Sequence, residues 1–156
     1  SKLGGSADVL NQGSNSIEND GFWHHCVFIV DKSGEDRSQL FIDNSIKETI
    51  NGVGTLSGTF SSMDIGQNNL DGGFFNGDID EVAIWNRVIT AQEVATITNS
   101  AIKVGGYVNP GSIDISGQMG TSLIGYYRFE EKTGTVAIND VGVNGTLVNT
   151  PTYNSH

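Results

Sequence analysis

The stretch GFWHHCVFIVDKSGEDRSQLFIDN, Gly21 to Asn44, decides how the chain is read, because it sets two of the three histidines beside the only cysteine. Either Trp23-His24-His25-Cys26 is a metal or catalytic cluster, or it opens a strand. Trp23 to Val30 is aromatic and β-branched, which favours a strand. Neighbouring side chains on a strand point to opposite faces. Trp23, His25, Val27 and Ile29 then share one face, and His24, Cys26, Phe28 and Val30 the other. Chelation of one ion by His24 and His25 is thereby disfavoured. Zinc wants three or four ligands, and no second cysteine exists to join Cys26 and His24. A Cys26 nucleophile would need a positioned base, and terminal His156 is a poor one. The stretch reads as a structural strand with Trp23 and one histidine facing the core and the imidazoles hydrogen-bonded within the fold.

Outward from it, 31–36 is a polar, glycine-containing hairpin loop and Gln39 to Ile42 the partner strand. Asp43-Asn44 is a tight turn of two residues that tolerate positive φ, and Ser45 to Ile50 is the next strand. Met63 to Gly66 reads as a short strand, Gln67 to Gly73 as a polar loop, and Phe75 to Trp85 as a strand. Thr90-Ala91-Gln92-Glu93 is a capping box, flanked by Ile89 and Val94 as a hydrophobic staple, and starts a helix of about two turns ending near Ser100. Residues 101–122 look like an extended linker. Leu123 to Phe129 is a strand, and another begins at Asn144 to Val148. Ala7 to Leu10 is a short apolar element in an otherwise Gly/Ser/Asn-rich start. Short strands, many turns and one helix predict an all-β antiparallel β-sandwich.

The chain has 156 residues, enough for one domain with a core. Its 21 glycines and 2 prolines fit the turn-rich reading. A formal net charge of −10, from 18 acidic against 8 basic residues, opposes nucleic acid and anionic membrane surfaces. The same carboxylates are potential ligands for a divalent cation. One cysteine leaves no internal disulfide, and no apolar run is long enough to insert in a membrane. No signal peptide is visible, and a start at Ser1 points to a processed product or a fragment.

The stretch resembles the laminin-G-like, or pentraxin-like, modules of the concanavalin A-like jelly-roll superfamily. Those read Gly-x-Trp-His-His-Val-Ala, a loop, then Leu-x-Leu-Tyr-Val-Asp-Gly; Cys26 stands here for Val and Asn44 for Gly. FNGDIDEVAIWNRVITAQEVATI, from Phe75, is similar to their Phe-x-Gly-x-Ile-Asp-Glu-Val strand and following Asn-Arg-x-Leu-Ser-x-x-Glu. The two motifs cover about residues 20–98. The tail from Leu123 resembles the segment that opens such modules, an aromatic strand, Glu-x-x-Gly-Thr, a loop and Gly-Thr-Leu. It either begins a second module or folds back to complete the first. Chains with this trailing segment resemble structural or fibre proteins of tailed phages.

The resemblance implies a jelly-roll module at 1–100 with its opening strands largely missing, the linker at 101–122, and trailing strands at 123–156. Asp78-Ile79-Asp80-Glu81 superficially matches the Glu-x-Asp-x-x-Glu strand of glycosidases sharing the fold, but Ala83 stands where the second glutamate belongs, so catalysis is not expected. Strand alternation sets Asp80 beside Val82 and Ile84, and Glu81 beside Ile79, Ala83 and Trp85. A buried carboxylate there either pairs with Arg87 or Arg128, or, as in many family members, binds Ca²⁺ with Asp80, Asp140 and Asn144 as ligands; the loop NDVGVNGT is shorter than the family's usual one. Phe74 and Phe75, with Asn68 and Asn69, are candidates for stacking on sugars, the alternative being that the rings are core. Asn144-Gly145-Thr146 fits a glycosylation acceptor, a common pattern. The expected protein is a non-catalytic, lectin-like adhesion module that binds glycans or cell-surface polysaccharide. The alternative is a virion fibre or decoration protein that docks on other structural subunits. Its place is extracellular or on a virion surface.

Overall fold

A computed structural model of the chain describes residues 20–32, 36–52, 63–68, 73–100, 103–104, 107–108, 115 and 122–148. The apolar element expected at Ala7 to Leu10 lies outside them. The chain divides into two compact units, Ser1–Asp78 and Ile79–His156.

In the first unit, strands β1 (Cys26–Asp31), β2 (Arg37–Ile42) and β3 (Ser45–Asn51) form an antiparallel meander in that order. The β1–β2 register sets Val27 opposite Phe41 and Phe28 opposite Leu40. Directly opposed residues share a face, so Val27, Ile29, Gln39 and Phe41 line one side and Cys26, Phe28, Leu40 and Ile42 the other. Ser38 through Ile42 are all buried, which is the mark of a central strand covered on both sides. On β1, Ile29 is buried while Cys26 and Phe28 are exposed, so only one face of that strand reaches the core.

The β2–β3 turn follows the sequence reading. Asp43 and Asn44 take φ of 50° and 66°, the left-handed pair that a two-residue hairpin loop needs. A bulge between Leu40 and Phe41 gives Lys47 the extra place on β3. The strand expected from Trp23 starts only at Cys26. Residues 23–25 are tied to the turn instead, with the Asp43 N–H donating to the His25 carbonyl at 2.9 Å.

Between 63 and 78 two expectations are corrected. Met63 to Gly66 is not a strand; β4 (Gln67–Asn68) begins where a polar loop was expected and pairs with β5 (Gly73–Phe74). The Phe75 N–H closes this hairpin on the Gly66 carbonyl at 2.8 Å, with Gly66 at φ 80°. Nor is Phe75 to Trp85 one strand.

In the second unit β6 is only Val82–Trp85. Helix α1 (Ala91–Ser100) is longer than the two turns expected. Its capping box is reciprocal: the Glu93 N–H donates to Thr90 Oγ1 at 3.2 Å, and the Thr90 N–H donates to Glu93 Oε2 at 2.7 Å. The staple pair Ile89 and Val94 is buried. The segment 101–122 contains β7 (Lys103–Val104) paired with β8 (Tyr107–Val108), and a buried Ile115. Strand β9 (Leu123–Tyr127) pairs antiparallel with β6, setting Val82 opposite Tyr127 and Ile84 opposite Gly125. A Cβ on Gly125 would lie 3.2 Å from the Ile84 side chain, so the close approach favours glycine. Ile97, Ile115, Leu123 and Tyr126 form a core against which Ala83 and Trp85 pack. Strands β10 (Val136–Ala137) and β11 (Gly145–Thr146) close a last hairpin. The fold is all-β with antiparallel sheets and one short helix. Among the described residues no helix is long and apolar enough to cross a membrane.

Candidate functional site

The histidines come first. His24 lies between two carboxylates, Nδ1 donating to Asp43 Oδ2 at 2.7 Å and Nε2 to Asp20 Oδ1 at 3.1 Å. Both ring nitrogens are used by the protein itself. The Asp43 hydrogen bond outweighs partial burial and raises the His24 pKa, while burial lowers that of His25. Asp43 Oδ1 also accepts the His25 backbone N–H at 2.9 Å. Asp43 therefore holds the segment before β1 onto the β2–β3 turn. Among the described residues no group of three or more His, Cys, Asp or Glu is placed to hold a metal ion.

The second locus is Asp80-Glu81, where the alternation argument fails. Glu81 has φ 53°, a left-handed conformation costly for a non-glycine residue, and its N–H turns back to Asp80 Oδ1 at 2.9 Å. The strand cannot extend through that kink. Glu81 is the buried carboxylate: its side chain is 4% exposed, it accepts from the Tyr126 hydroxyl, and Arg128 Nε stands 3.8 Å away. Of the two arginines considered, Arg128 meets Glu81, whereas Arg87 is bidentate to Glu93. Burial raises the Glu81 pKa above the usual carboxylate range and also raises that of Tyr126. A carboxylic acid with a raised pKa is what a general acid needs, but this one is closed off behind the Tyr126 hydroxyl.

The tail loop is organised by Asn139, a residue sequence reasoning passed over. It is buried, its Oδ1 accepts the N–H groups of Tyr126 (2.9 Å) and Val141 (3.1 Å), and its Nδ2 donates to the Val143 carbonyl at 3.2 Å. The Asn139 N–H donates to Asn144 Oδ1 at 2.9 Å. So that Asn144 oxygen, expected as a metal ligand, is turned onto its own loop. Asp140 is exposed, and its N–H donates to the Tyr126 carbonyl at 3.0 Å. No sequence signal marks Asn139 beyond the polar loop in which it sits.

Phe74 and Phe75 are solvent-facing, at 65% and 52% exposure, on and beside the β4–β5 hairpin. A Cβ on Gly77 would lie 2.9 Å from Phe75 Cε1, so the ring rests against a backbone bare of side chain. Asn68 contributes its backbone to β4, opposite Gly73; Asn69 lies outside the described residues. Two adjacent exposed rings are unusual, because aromatic side chains gain most by burial.

The chain is a member of the concanavalin A-like lectin/glucanases superfamily: a laminin-G-type family model matches residues 2–95, more than half its length. Its sandwich is therefore of the jelly-roll kind. No curated protein and no solved structure gives a significant match.

Proposed function

We propose that the protein is a non-catalytic recognition module that binds carbohydrate on a larger surface-exposed protein, outside the cell or on a virion. The observation that carries this reading is the exposed Phe74–Phe75 pair in a superfamily of lectins and glucanases. Aromatic faces stack on the apolar faces of pyranoses, and neighbouring amides supply hydrogen bonds. Two features support recognition without hydrolysis. Ala83 stands where a second acid would be needed, and the Glu81 side chain is sequestered. The pairing of β9 with β6 supports reading the tail as part of the sandwich rather than the start of another module. Calcium at Asp80, Asp140 and Asn144 is part of the proposal and requires Asn144 Oδ1 to give up its bond to the Asn139 N–H: EDTA then lowers the melting temperature, and an unchanged value removes the cation from the reading. The test is a glycan array with the wild type and the F74A/F75A variant, paired with a reducing-sugar assay on the same glycans. Binding lost in the variant, with no sugar released, is expected; release of sugar would replace recognition by hydrolysis.

A second reading, assembly through other structural subunits as in a fibre, draws on exposed apolar residues of the tail, among them Ile124, Val141 and Val143, the last 87% exposed. Self-association in sedimentation that V143D abolishes, with an empty glycan array, would favour it.

A further inference from the structure

The surroundings of the aromatic pair narrow the class of glycan. Between Lys47 and Arg87 the sequence holds six carboxylates and no lysine, arginine or histidine. Two of them flank the hairpin and are exposed: Asp64, three residues before β4, and Asp78, three after Phe75. Along the sequence the rings are therefore bracketed by carboxylates and by no cation, on a chain whose net charge is −10. An aromatic face attracts cations through its quadrupole, and nearby carboxylates add Coulomb attraction in the same direction. Anionic sugars meet the reverse on both counts. Exposed rings alone would accept any pyranose; rings among carboxylates discriminate by charge.

We propose that the Phe74–Phe75 hairpin takes glycans bearing free amino groups, in preference to neutral ones and to the exclusion of uronate or sulfated chains. The inference rests on the carbohydrate-recognition reading and adds the chemical class of ligand. Specificity arises from the ring faces together with Asp64 and Asp78, so both parts are needed. A cationic peptide shares the charge but lacks the pyranose face for stacking.

The experiment titrates the whole chain, at mildly acidic pH, with a glucosamine oligomer, its N-acetylated neutral counterpart, a heparin oligosaccharide of equal length and an oligolysine. Each is measured at about 20 mM and about 500 mM NaCl, between which the screening length falls from roughly 20 Å to roughly 4 Å. The aminated oligomer is expected to bind about tenfold more tightly than the acetylated one at low salt, with most of that advantage gone at high salt. Heparin is expected not to bind, and F74A/F75A to abolish binding of both glucosamine oligomers. D64N/D78N is expected to remove the preference for amine while sparing the acetylated ligand. Heparin binding, oligolysine affinity matching that of the aminated glycan, or amine affinity unchanged in F74A/F75A would overturn the proposal. If the acetylated oligomer binds through the phenylalanines and the amine adds nothing, the charge inference fails and the recognition reading stands. Binding of no glycan at all sinks both.

Discussion

Replacing Asp43 with asparagine removes one charge from the structure with little else. Asparagine matches aspartate in size, tolerates the φ of 50° at this position, and keeps an oxygen for the His25 N–H. What is lost is the charge facing His24 at 2.7 Å. A hydrogen bond to a charged group contributes about 1.5–3 kcal/mol and a neutral one about 0.5–1.5. Over the two contacts, and reduced because the Asp43 side chain is 37% exposed, the cost is about 1–2 kcal/mol where His24 is protonated. The sign with pH follows from the raised His24 pKa. The stabilisation is complete below the unfolded value of 6.5 and is lost as pH rises through the higher folded value. The lowered pKa of His25 acts in the opposite sense, but largely in both proteins, and so mostly cancels in the comparison. D43N is therefore expected to melt about 3–6 °C below the wild type near pH 6 and about 1–2 °C below it near pH 9. Thermal unfolding followed by the fluorescence of Trp23 and Trp85 measures both. H24Q should abolish the pH dependence of the D43N deficit. A deficit equal at the two pH values, or larger at the alkaline one, would refute the account of the Asp20–His24–Asp43 contact.

Two further stability changes are expected. T90A removes the acceptor for the Glu93 N–H and should cost about 1 kcal/mol, read by thermal unfolding. The Glu93 pKa, lowered to about 2 chiefly by Arg87 and then by the Thr90 N–H, means this end of α1 weakens as acid approaches that value. N139A strands the buried Tyr126 N–H and removes an acceptor from the more exposed Val141 N–H, and should cost about 1–3 kcal/mol. Hydrogen exchange should show the loss concentrated in 122–148.

Local chemistry made part of this fold legible. Asp43-Asn44 and the Thr90–Glu93 box specify their own backbone geometry, and both are legible in the sequence because each depends on a few adjacent residues. Trp23 to Val30 is strand material by composition, yet pairing starts at Cys26; His24 and His25 before it are held by an aspartate nearly twenty positions away. Asp78 to Glu81 departs from a strand because strand alternation cannot reveal a left-handed residue such as Glu81. The β6–β9 pairing and the Tyr126–Glu81 contact join segments some forty residues apart, and nothing local announces them. Of the candidate site, Phe74 and Phe75 were visible as aromatics, but their exposure was not. In sequence Asn139 is like any loop asparagine; its five partners, Tyr126, Tyr127, Val141, Val143 and Asn144, are set by folding.

The most direct test of carbohydrate recognition is calorimetric titration of the wild type and F74A/F75A with the tightest-binding glycan of the array. The account predicts affinity at least about tenfold weaker in the variant, a loss of about 1.4 kcal/mol or more. Its melting temperature should fall by only about 2–4 °C, since both rings are more than half exposed. Equal affinity in the two proteins would contradict the assignment of the site to Phe74 and Phe75.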